Sequence, residues 1–188
     1  MAPQMAELFV ALLHHPVLDR RERVIASAIT SLDIHDLARS ALTYGVRTAY
    51  VVHPVPEQRA FASTVIDHWI TGQGRVLDAR RQRALRLIEV VADLDEAIDD
   101  ATLRAGARPL LVLTSARTNE GLAYDVLRQR IEGEGAPVML LFGTGFGLAP
   151  ALAQRADVVL SALRGPTDYN HLSVRAASAI ILDRLRGR

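Results

Sequence analysis

The chain has 188 residues, 49% of them apolar and 23% charged, and its 22 basic and 21 acidic side chains leave a net charge of +1. That balance excludes a disordered chain and a nucleic-acid binder held by bulk charge alone. There is no cysteine and every cation is an arginine, which excludes disulfides, thiolate-ligated zinc, a phosphate-loop lysine and Schiff-base chemistry.

The length suits one domain over 1–188. Glu7 and the His14-His15 pair interrupt the only early apolar stretch. No run approaches the roughly 18 apolar residues of a membrane span. A cytoplasmic protein without a signal peptide is therefore expected.

Leu8 to Leu13 reads as a buried strand, followed by a charged turn over Asp19 to Arg23 and a short strand or loop over Val24 to Ala28. Thr30 or Ser31 can cap a helix from about Asp33 to Tyr44, stopped by Gly45. Val46 to Val52 is a second buried strand, and Pro56 opens a helix to Thr71. Between Gln73 and Ala101 the pattern gives a helical turn over Arg80 to Leu85, a strand over Leu87 to Val91 and a helix from Asp93. Leu110 to Leu113 is a strand, Tyr124 to Glu132 a helix, and Val138 to Phe142 a strand. A short helix follows from Pro150, then a strand over Val158 to Leu163 and a final helix from Leu172 to Leu185. Alternating strands and helices predict an α/β fold, a mostly parallel sheet with helices on both faces.

Two strands run into loops suited to a ligand at the carboxyl edge of such a sheet. One breaks into Gly143-Thr144-Gly145-Phe146-Gly147, the other into Arg164-Gly165-Pro166. The first is not the G-x-G-x-x-G of dinucleotide folds, and Arg164 stands where the ribose-binding acid would fall. One glycine suffices for a tight turn; three suggest that backbone closely approaches a ligand.

The histidines lack metal-ligand spacing, and no G-x-S-x-G elbow occurs. Arginines 75, 80, 81, 83 and 86 read as solvated surface or, beside a cofactor cleft, as a phosphate-tracking patch. Trp69 reads as core, with base stacking the other use. The last helix is apolar around most of its circumference, so a second subunit is expected on one side.

Three blocks resemble the SPOUT class of S-adenosylmethionine-dependent RNA methyltransferases. They are Asp33-Ile-His35-Asp36-Leu-Ala-Arg39-Ser-Ala41 with Tyr44-Gly45-Val46; Leu141-Phe142-Gly143-Thr144-Gly145-Phe146-Gly147-Leu148; and Arg164-Gly165-Pro166 through Tyr169-Asn170-His171-Leu172-Ser173-Val174-Arg175-Ala176-Ala177. The resemblance implies a C-terminal deep trefoil knot, a homodimer through the knotted helix, and RNA (tRNA or rRNA) as partner, with no metal and no membrane. It implies that S-adenosylmethionine is held by Thr114, Ser115, Ala116, Phe142, Gly143, Thr144, Gly145, Gly147, Ser161, Leu163, Gly165, Tyr169, Asn170, Leu172 and Ser173. For catalysis it points to Arg39 at the reaction edge, to Asp33, Asp36 and Asp168 as proton acceptors, and to Asn170 as orienter. Asp33 stands where many ribose-methylating members carry asparagine, and Gly145 where they carry glutamate, so ribose and base methylation both stay open. A catalytically silent dimeric RNA binder that retains the pocket is the alternative, and a nucleotide-binding α/β enzyme unrelated to RNA is the third.

Overall fold

The computed structural model describes residues 5–118 and 120–188. In chain order its elements are β1 (Leu8–Leu13), β2 (Val17–Leu18), β3 (Val24–Ile25), α1 (Ser31–Thr43), β4 (Thr48–Val52) and α2 (Pro56–Ile70). A 3-10 turn (Gln73–Val76) leads to α3 (Ala79–Leu85), β5 (Ile88–Val91), α4 (Leu94–Ala105) and β6 (Leu110–Leu113). The chain ends with α5 (Tyr124–Glu132), β7 (Val138–Gly143), α6 (Pro150–Ala153), β8 (Val158–Val159) and α7 (Val174–Arg186).

Six strands form one sheet in the order β5-β4-β1-β7-β6-β8, every pair parallel. β1 and β7 lie inside this sheet and are covered on both faces, which is why both read as unbroken apolar runs. Leu8, Val10 and Leu12 point into a core with α1, α2, α3, α5 and α7, while Phe9, Ala11 and Leu13 meet α4 and α6 on the other face. The β2–β3 hairpin inserts between β1 and α1. Asp19 makes its turn by accepting the backbone N–H groups of Arg21 and Arg23 at 2.7 and 3.0 Å.

Helix boundaries follow local chemistry. Thr30 caps α1 in a reciprocal capping box with Asp33, so the helix begins at Ser31. Asp78 caps α3 and Asp93 caps α4, which Gly106 ends at φ +74°. Ser173 caps α7, so the final helix expected from Leu172 begins at Val174.

Three further segments differ from expectation. The strand expected from Val46 starts at Thr48, because the Val46 N–H turns back to the Ala41 carbonyl of α1 at 2.9 Å. The strand expected over Val158 to Leu163 keeps only Val158 and Val159. Beyond them the Leu160 N–H still donates to the Leu113 carbonyl at the end of β6, at 2.9 Å, while the other edge of the segment pairs with the preceding loop: Leu122 N–H donates to Val159 and Ser161 N–H to Leu122, at 2.8 and 3.0 Å. Within this chain α7 buries one face, through Ser178, Ile181, Leu182 and Leu185, and leaves Ile180 partly exposed.

Gly121 makes that pairing possible. A Cβ there would lie 2.8 Å from the Ser161 nitrogen and 2.9 Å from the Val159 oxygen, backbone atoms that cannot swing aside. Gly121→Ala should therefore cost about 1–3 kcal/mol and lower the melting temperature by several degrees. Gly165→Ala, with nothing within 4 Å of its Cβ, should melt with the parent. Thermal unfolding of both checks this, and a Gly121→Ala protein as stable as the parent would contradict the close approach.

Candidate functional site

Because every strand of the main sheet is parallel, all their carboxyl ends emerge at one edge. Leu113 of β6 is paired with Leu141 of β7 on one side and Val159 of β8 on the other. The segments that follow, 114–117, 142–147 and 160–165, therefore leave the same edge, the outer two about 10 Å apart at two strand spacings. The strand order reverses between β1 and β7, the position where open α/β sheets form a crevice.

The chain after β8 is tied to the chain after β6 at two points. Ser161 Oγ donates to the Gly121 carbonyl at 2.9 Å, and Asn170 Nδ2 donates to the Ala116 carbonyl at 3.0 Å. Thr114 donates through both its N–H and its hydroxyl to the Leu141 carbonyl, at 3.1 and 2.8 Å, and the Ser115 hydroxyl accepts the Arg117 N–H at 3.1 Å. Leu163 is buried, whereas Tyr169 and Leu172 are 72% and 49% exposed and Gly165 faces open space.

The glycine loop differs from expectation. A Cβ on Gly143 would strike the Leu148 side chain at 2.7 Å. Gly145, at φ +59°, would place one 2.8 Å from the Leu18 carbonyl. Phe146 N–H donates to Leu18, and Leu18 N–H to Gly147, at 3.0 and 2.9 Å. Two of the three glycines thus admit the chain's own β2 and Leu148, which requires glycine at both positions whether or not a ligand approaches. Gly147, at φ +106° with open space around it, serves the turn's conformation.

Around the β1 and β7 ends lies a polar chain of which the sequence assigns a role to Thr144 but none to His14, Ser27 or His53. His14 Nδ1 lies 3.1 Å from Ser27 Oγ, which in turn bonds the Thr144 hydroxyl of the glycine loop. His53 accepts the Val55 N–H at Nδ1 and so donates from Nε2 to the Ser27 carbonyl, both at 3.0 Å. His14 Nε2 is buried without a partner among the described residues. Burial, with the nearby His53 adding to it and Asp33 opposing it, pushes His14 down to about 4. His14 is therefore neutral at pH 7.

The first and third blocks meet through Arg175, whose Nε lies 3.8 Å from Asp33 and whose Nη1 lies 3.7 Å from Asp36. Asp33 spends Oδ2 on the Thr30 N–H and hydroxyl, at 3.1 and 2.6 Å. Its capping role explains an acid at that position and leaves Asp36, about half-exposed, as the more accessible carboxylate. Arg39 is exposed on α1, one turn beyond Asp36, and Asp168 is exposed in the 164–169 bend. Sequence reasoning placed Arg175 inside the third block without a role; only the i, i+3 pairing of Asp33 with Asp36 hints at a shared cation.

Among the described residues no three His, Asp or Glu side chains are grouped to hold a metal, and no helix is long and apolar enough to cross a membrane. A family model described as SAM-dependent RNA methyltransferase matches residues 7–187. A tRNA (guanine-N(1)-)-methyltransferase of Oleidesulfovibrio alaskensis is 40% identical over 180 residues, 96% of this chain but 42% of that protein. The chain thus spans less than half the length of that relative. An uncharacterised protein of Aquifex aeolicus is 40% identical over 182 residues, 96% of this chain and 89% of that one. The solved SpoU methyltransferase AviRb of Streptomyces viridochromogenes, in complex with AdoMet, shares the fold at TM-score 0.56 and 17% identity, over 97% of this chain and 57% of that chain.

The buried histidine makes a pH prediction. Unfolded His14 takes a proton below about 6.5, whereas the folded protein refuses it until about 4. Stability should be flat above that upper value and fall as pH drops between the two, by about 3 kcal/mol. Denaturant titrations at pH 7 and pH 4.5 should show the loss, and His14→Gln should remove most of it. Equal parent stability at both pH values would contradict the burial.

Proposed function

The chain belongs to the SAM-dependent RNA methyltransferase family, and from that premise we propose that it transfers a methyl group to a nucleotide of tRNA. The observation that carries this reading is the emergence of the β7, β6 and β8 ends at one edge, with Asn170 and Ser161 tying the chain after β8 to the chain after β6. tRNA as the substrate is supported by the name of the longer relatives that match this chain; the guanine named there stays with those proteins.

The residues present fit the cofactor. Peptide groups of 114–116, 142–144 and 161–165 would hold its polar ends, and Leu163, Tyr169 and Leu172 offer apolar surface for a purine. Bound S-adenosylmethionine supplies an electrophilic methyl group on a sulfonium. The protein must then align the acceptor and manage its proton. Asn170, braced on Ala116, fixes the third segment against the first. Arg39 orients the acceptor through its phosphate. Asp36 and Asp168 are the accessible proton acceptors, and Arg175 holds Asp36 in place.

Two further features belong to this reading. The ties of segment 160–173 to loop 116–122, before α7 returns to pack on α1 and α5, support a threaded C-terminal knot. Half-exposed Leu172, just before α7, and partly exposed Ile180 on that helix support a homodimer through it. The silent RNA binder is favoured by one observation: the Leu18 carbonyl lies 2.8 Å from any Cβ at position 145, leaving no room there for an acid.

Tritiated methyl transfer to unmodified tRNA separates the two. The parent should label tRNA, and Arg39→Ala should lose about a hundredfold or more while binding S-adenosylhomocysteine within about twofold of the parent. Cofactor binding without labelling of any RNA would establish the silent binder. Loss of cofactor affinity together with activity in Arg39→Ala would contradict the role given to Arg39.

A further inference from the structure

A cleft of about 340 Å³ opens between α1 and α3, lined by Arg39 and Thr43 from one helix and Asp78, Arg80 and Arg81 from the other side. Its lining holds three guanidiniums and one carboxylate. Asp78 already accepts the Arg80 and Arg81 N–H groups at 2.9 and 3.2 Å as the α3 cap. The ion pair found there among the described residues is a loose one, Arg80 to Asp78 at 3.8 Å, and the Arg80 side chain is 98% exposed. Positive charge therefore exceeds negative charge in a concave site.

Arg81 is held rather than loose. Its guanidinium lies 4.5 Å from the Trp69 ring centroid. Trp69 is itself fixed edge-on by His35 and His68, at 5.7 and 5.3 Å. Stacking occupies the π-face of a guanidinium and leaves its in-plane N–H fork available, the arrangement suited to a phosphate. His35 adds no charge: burial, and then the nearby Arg81, hold it below the ordinary histidine range.

The cleft is continuous with the site. Asp36, Arg39 and Thr43 stand at i, i+3 and i+7 on one face of α1, a stripe about 10 Å long. Asp36 meets Arg175 at one end, and Arg39 and Thr43 line the cleft at the other. A strand of RNA with its acceptor nucleotide at the sheet edge would carry its neighbouring phosphates along this stripe.

We propose that the α1–α3 cleft is a binding site for phosphodiester groups of the substrate RNA, with Arg80 and Arg81 gripping the phosphates beside the nucleotide positioned by Arg39. The proposal rests on the RNA methyltransferase reading. It assigns a role to Trp69 as well, as the platform that orients Arg81.

The test is binding of fluorescently labelled unmodified tRNA across a salt series, with S-adenosylhomocysteine titrated calorimetrically into the same proteins. Arg80→Glu, at an exposed position, and Arg80→Glu/Arg81→Gln should weaken tRNA binding by about fivefold or more. Every phosphate that a variant no longer neutralises should make the slope of log K against log salt shallower by about 0.7–0.9. Arg130→Glu, an equal charge change at an exposed position of α5, should do far less, and all variants should bind S-adenosylhomocysteine like the parent. Parent-like tRNA affinity and slope in Arg80→Glu would overturn the cleft and leave the methyltransferase reading intact. A parent that binds S-adenosylhomocysteine but no RNA would overturn both.

Discussion

A parallel ladder obliges every strand to deliver its following segment to the same edge, and the rest of this molecule is arranged around that obligation. The register Ala11 with Leu141, and Leu113 with both Leu141 and Val159, brings residues more than a hundred positions apart in sequence to one level. Helices on both faces bury the strands, so the edge is where polar backbone and irregular chain can gather. The chain uses it four times: for the hairpin after β1 and for the segments after β6, β7 and β8.

Those segments hold one another in position. The glycine loop after β7 is braced from below by β2 and from within by the Thr144–Ser27–His14 chain. The segment after β8 leans on the loop after β6 through Gly121, Ser161 and Asn170. Arg175 then draws the start of α7 toward Asp33 and Asp36 at the start of α1. A buried neutral histidine is costly to protonate, so the brace under the glycine loop is firm at neutral pH and weakens in acid.

The architecture is legible in the sequence because its signals are local or periodic. Apolar runs such as Val138 to Phe142 belong to interior strands, and Thr30, Pro56 and Asp93 mark helix starts by their own chemistry. Strand ends are harder. Val158 to Leu163 is almost uniformly apolar, yet its last ladder bond to β6 is Leu160 N–H to the Leu113 carbonyl, where β6 itself ends, and its other edge pairs with the distant backbone of Leu122. No periodicity reports such a long-range partner. The glycine loop misleads for the same reason: Gly143 and Gly145 yield space to Leu148 and Leu18, and spacing alone cannot distinguish a ligand from the chain itself. His14, Ser27 and Thr144 form a contiguous polar chain only once β1, the hairpin and β7 are brought together, and the cleft of Arg39, Arg80 and Arg81 needs two helices distant in sequence.

The central claim is that the ends of β6, β7 and β8 converge on one methyl donor. Amide hydrogen exchange with and without S-adenosylhomocysteine tests it most directly. The account predicts that residues 114–117, 142–147 and 160–173 slow together, at the same ligand concentration. Slowing confined to one of them, or centred on α2, α3 or the β2–β3 hairpin instead, would contradict it.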